Sequence, residues 1–235
     1  MLHNSWSDLQ RAWVHVQLPG VRAAGPHVTY EISSYDDLPP IPIELDDDCR
    51  WLIQHGTKYT GALDQYERDL QPAAVEKLAA ERNLELPKNF RRFMTSPELQ
   101  SRVRSCTDCY LDPGERVVEV TAPVAGYLIH FLSDSQSCAH WYLHVIDGGQ
   151  AAVLTSPHLY CYRIDNPEWL DHPSCGLEQI DLGGLEFAFC AASFSEFLYR
   201  FWIENEIWYA LKYDKRPLKP LELEYVNHYV AKKPR

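Results

Sequence analysis

The sequence predicts an α+β protein, a mostly antiparallel or mixed sheet flanked by helices, with a β-rich N-terminal extension. Three observations predict it. Between Gly126 and Ser156 apolar and polar residues alternate with the two-residue period of pleated strands. Asp147-Gly148-Gly149 interrupts that alternation with residues that adopt the positive φ angles of a tight hairpin turn. Segments with helical spacing lie on both sides, one begun by Leu86-Pro87 and one by Ala192-Ser193-Phe194.

Taken in order, the first sixty residues have β character. Trp13 to Val16 and His27 to Ile32 alternate, with Pro19-Gly20 and Gly25-Pro26 between them. Leu38-Pro39-Pro40-Ile41-Pro42-Ile43 lacks the backbone donors of a helix or central strand and reads as an extended connector. Pro72 opens a helix with Val75, Leu78 and Ala79 on one stripe, ending near Asn83. Pro87 starts a short helix that buries Phe90, Phe93 and Met94. Ser96-Pro97 starts a third, with Leu99 and Val103 turned inward.

Strands are predicted near 116–119, 127–132, 139–145, 151–155 and 159–163. An irregular acidic insertion over 166–181 and a strand over 185–190 follow. In the hairpin, Trp141, Leu143 and Val145 share one face. His140, Tyr142 and His144 share the other, read as a partly covered sheet face. The last long helix opens on Ser193-Phe194-Ser195-Glu196, a capping-box spacing, and stops before Pro217. Its aromatic stripe, Phe194, Phe197, Phe201 and Trp202, is read as core. This gives an extension over 1–70, a main domain over 71–214 and a basic tail over 215–235.

A hydrophobic content of 46% in 235 residues suits a folded domain with a proper core. No apolar run reaches the roughly 18 to 20 residues that span a bilayer, and the N-terminus lacks signal-peptide features, so a cytoplasmic protein without membrane contact is expected. Seven cysteines, an odd and scattered set, are read as reduced thiols. A net charge of −11 makes nucleic acid a poor partner and a basic protein a good one. The acids cluster: 31–50 holds seven against one base, and 163–186 six against one.

Chemical motifs are few. Cys106-Thr107-Asp108-Cys109 has thiolate spacing for zinc, with Cys138 and His140 as further ligands. It lacks a second tight pair, and no thioredoxin-like context surrounds it. His140 and His144 are separated by about 13 Å of strand, too far to share an ion. Glu204 and Glu206, two apart on a helix, face different directions. Nucleophile-elbow, Walker-type and His-Glu-x-x-His motifs do not occur.

Four blocks resemble the SMI1/KNR4 family, or SUKH superfamily. Leu86-Pro87-Lys88-Asn89-Phe90-Arg91-Arg92-Phe93 is similar to its Leu-Pro-x-x-aromatic entry. Gly126-Tyr127-Leu128-Ile129 and His140-Trp141-Tyr142-Leu143 are similar to its central strands. Ala192-Ser193-Phe194-Ser195-Glu196-Phe197-Leu198 is similar to its closing helix. The resemblance covers about 72–213. It implies a single α+β domain with no cofactor and no catalysis, acting by protein binding. Bacterial members serve largely as immunity proteins that neutralise toxins of contact-dependent and polymorphic systems, many of them nucleases. A fungal branch supplies regulatory scaffolds of cell-wall synthesis and signalling, the alternative expectation. A zinc- or thiol-dependent enzyme is a distant third. The expected partner-binding residues, drawn from the charge pattern, are Asp36, Asp37, Asp46, Asp47 and Asp48, with the 165–181 insertion second.

Overall fold

In the computed structural model the described residues are 6–22, 29–60, 63, 73–114, 116–160, 179–184 and 186–232. They form an α+β fold around one mixed sheet of nine strands. In chain order these are β1 (Gln10–His15), β2 (Glu31–Ser34), β3 (Tyr110–Leu111), β4 (Val118–Ala122), β5 (Gly126–Ser133), β6 (His140–Val145), β7 (Ala151–Ser156), β8 (Gln179–Asp181) and β9 (Ala188–Ala191). The order across the sheet is β2-β1-β9-β7-β6-β5-β4-β8, and β3 pairs with the far end of β5. Only β1 with β9 and β4 with β8 run parallel.

The hairpin forms as its sequence dictates. Gly148 and Gly149 take φ of 83° and 75°, values that cost glycine little. Gly126 is required for a different reason. A Cβ there would sit 2.4 Å from the carbonyl oxygen of Val145 and 2.8 Å from Nε2 of His144, so only glycine allows β5 to approach β6 this closely.

Six helices are described: α1 (Arg50–His55), α2 (Ala73–Glu81), α3 (Lys88–Met94), α4 (Pro97–Gln100), α5 (Phe194–Lys212) and α6 (Pro220–Lys232). Asn83 takes the left-handed conformation after α2. Ser96 caps α4, accepting from the amide of Leu99. Ser193 caps α5, accepting from the amide of Glu196, whose carboxylate accepts in turn from the amide of Ala192. The connector over 38–43 has neither helix nor strand, as its prolines require.

Several boundaries differ from the sequence reading. The strand expected at 116–119 runs over Val118–Ala122. That expected at 185–190 is Ala188–Ala191, with Leu185 outside the described residues. Leu159 and Tyr160 are not in a strand, and 161–163 lie outside the described residues, as does most of the acidic insertion. The basic segment read as a tail contains α6, which buries Glu222, Tyr225 and Val226. Its apolar pattern is short and follows Pro217 and Pro220, which hid it. The N-terminal extension also contributes directly to the sheet, since β1 lies between β2 and β9.

Both faces of the sheet are covered. Trp141, Leu143 and Val145 join Phe90, Phe131, Phe194 and Phe197 in the larger core beneath the helices. Tyr142 belongs to a second core, built with Trp6, Leu9, Tyr160, Ile180, Leu182 and Phe187. The second face is therefore fully covered at β6, not partly: His140 is 3% exposed and His144 0%. The cover comes from short N-terminal and loop segments whose apolar residues carry no periodic signal.

Candidate functional site

The groups that invited a chemical reading are packed away. Leu132 contributes a carbonyl 3.0 Å from His130 Nε2, so that nitrogen carries the hydrogen. Ser133 Oγ accepts from the same nitrogen at 3.0 Å and lies in hydrogen-bonding contact with His140 Nδ1 at 2.9 Å. Asp112 Oδ2 stands 3.9 Å from His130 Nδ1, beyond hydrogen-bonding distance. The groups follow a Ser-His-Asp order, but Ser133 is 0% exposed, so no substrate reaches its hydroxyl in this conformation. Burial depresses the pKa of His130 to about 3. His144 accepts a hydrogen bond from the Trp6 indole at 2.8 Å, and burial lowers its pKa to about 4. His130 and His144 are therefore neutral packing residues near pH 7.

Cys106 and Cys109 occupy a turn in which Asp108 is left-handed and Ser105 Oγ accepts from the amides of Thr107 and Cys109. Tyr30 sits over it, its hydroxyl donating to Asp134 and lying 3.5 Å from the sulfur of Cys109. Burial raises both thiol pKa values, so neither is a ready thiolate. Among the described residues no group of three or more His, Cys, Asp or Glu is arranged to hold a metal ion.

Glu204 and Glu206 do diverge, and each enters a buried ion pair. Glu204 binds Arg22 at 2.9 Å and accepts from the Tyr225 hydroxyl. Arg22 and its neighbours hold the Glu204 carboxyl below its usual range although burial pushes it up. Glu206 binds Arg104 at 3.0 Å and accepts from Tyr59. The Arg104 guanidinium stacks between the rings of Tyr59 and Tyr209, 4.1 and 3.9 Å from their centroids. The sequence reading missed these pairs. Their available signal was the acids at 204 and 206 inside an otherwise apolar helix.

The acidic segment is different in kind. Asp36 and Asp37 lie exposed in a 3-10 turn, Tyr35–Asp37, with Asp36 bound to Arg11 at 3.1 Å. Asp46 turns back on its own chain. Its carboxylate accepts from the amides of Asp48, Arg50 and Trp51 and caps α1 in place of Cys49, which is left-handed. Asp47 is exposed. Asp48 pairs with Arg50 at 3.1 Å and with Lys88 at 2.9 Å, and the Lys88 ammonium is the main reason its carboxyl sits below the usual range. Thus Asp46 and Asp48 shape the segment, while Asp36, Asp37 and Asp47 face solvent. Glu44, also exposed, forms no ion pair among the described residues. This arrangement can attract and orient a cationic surface.

No helix of the described residues is long and apolar enough to cross a membrane. No protein family, curated protein or solved structure matches this chain.

Proposed function

We propose that this protein acts by binding, as a cytoplasmic immunity protein that neutralises a basic toxin domain such as a nuclease. The observation that carries this reading is the separation of its charged groups. The acids that face water between 31 and 48 carry much of a net charge of −11, while His130 and His144 are buried and neutral and burial raises the thiol pKa of Cys106 and Cys109. A surface of that sign speeds association with a cationic groove and selects against acidic competitors. The resemblance of the helix and strand blocks to the SMI1/KNR4 family supports the same reading.

Co-expression tests it. The protein should restore growth to cells making a toxin domain encoded beside its own gene, and complex formation should weaken as salt rises. Failure to neutralise every neighbouring toxin would overturn the proposal.

A further inference from the structure

We propose that the cleft between residues 43–46 and helix α1 seats an arginine side chain of the partner, an inference that rests on the partner being a basic protein. The cleft has a volume of about 450 Å³, within the roughly 300–1,000 Å³ of ligand pockets. Ile43, Glu44 and Asp46 line it from the connector, and Arg50, Trp51, Gln54 and His55 line it from α1. The last three are spaced i, i+3 and i+4, which places them on one helical face.

Charge decides the occupant. Two cations stand close by, Arg50 and Lys88, and Asp48 engages both, one on each carboxylate oxygen. Glu44 and Asp46 are left without a cation among the described residues. Asp46 is already fixed by three backbone amides, so a partner does not have to order it. Those amides occupy its oxygens, which makes Asp46 a fixed charge and Glu44 the carboxylate free to accept a forked pair of N–H donors. A guanidinium supplies that fork and an ammonium does not. Half-buried Ile43 offers apolar surface to the methylene stem of an arginine, while Trp51, 2% exposed, forms the floor of the cleft. The volume leaves room for the adjoining main chain of the partner as well.

The test uses N-acetyl-arginine methylamide as the probe and its uncharged isostere, N-acetyl-citrulline methylamide, as the control. Backbone and ring NMR signals of Trp51, Gln54 and His55 should shift saturably with the arginine probe. The citrulline probe, or the variant Glu44→Lys, should bind at least tenfold more weakly. Glu44 is exposed, so this variant keeps the fold. The absence of saturable shifts at those residues, or equal shifts with both probes, would overturn the cleft. A toxin neutralised equally well by wild type and Glu44→Lys would also reject the cleft and leave the binding function standing. Failure of the wild type against all toxins rejects the function, and the probe titration still judges the cleft independently.

Discussion

Helix α5 and the segment from 31 to 48 both carry carboxylates, and the two regions use them in opposite ways. On α5, Glu204 and Glu206 are almost wholly enclosed, each matched by a buried arginine and a tyrosine hydroxyl. In the acidic segment, Asp36 and Asp47 meet water and Glu44 has no cationic partner among the described residues. The same group is a fixed structural joint where the dielectric is low and an available long-range charge where it is high. What distinguishes them is the enclosure, because enclosure makes the missing partner expensive.

The comparison is most readily broken at Glu204. Replacement by alanine leaves Arg22 charged and buried, and should cost about 3–5 kcal/mol of stability, read from the urea midpoint. Acid should have the next largest effect. His130 and His144 are neutral in the fold, with pKa values depressed to about 3 and about 4 from an unfolded value of 6.5. Their contribution is therefore complete above pH 6.5 and falls away as pH drops from there towards 4 and then 3. At pH 5 each should cost about 2 kcal/mol, measured as a lower urea midpoint than at pH 7. Replacing His144 with a neutral residue should flatten that dependence, even in a less stable protein.

Two neighbouring aspartates sharpen the contrast. Asp46→Ala removes a helix cap and should cost about 1 kcal/mol. Asp47→Lys touches nothing buried and should change stability by less than about 0.5 kcal/mol. It should still slow association with a basic toxin domain and flatten the salt dependence of that rate in a stopped-flow measurement. If Asp47→Lys leaves the rate and its salt slope unchanged, the exposed acids of this segment do not steer binding.

The elements that were legible in the sequence are those whose residues carry their own instruction. Gly148 and Gly149 determine a turn, Ser96-Pro97 and Ser193 through Glu196 open helices, and Trp141, Leu143 and Val145 mark a core face. What was not legible depends on distant partners. His144 looks amphipathic until Trp6, far away in the chain, is laid over it. Arg22 and Glu204 look like surface charges until the N-terminal segment is brought against α5. The candidate site divides in the same way. The acidity of 31–48 was plain, but the role of Asp46 as a cap required seeing Cys49 left-handed, a backbone state that no local pattern announces. The cleft beside it depends on where the connector runs relative to α1, which composition does not specify.

The position of β1 has a consequence for how the molecule is made. Gln10 and Arg11 pair with Ala188 and Phe189, residues that leave the ribosome long after them. With only β2 beside it, β1 must therefore wait until β9 has been made before its second neighbour exists. Contacts of such long range slow folding and leave partly built sheets open to wrong pairing. Completion of the sheet, and with it the joining of Arg22 to Glu204, becomes a late check on the chain, so a product truncated before β9 would lack both the strand on which β1 docks and the buried charge pair.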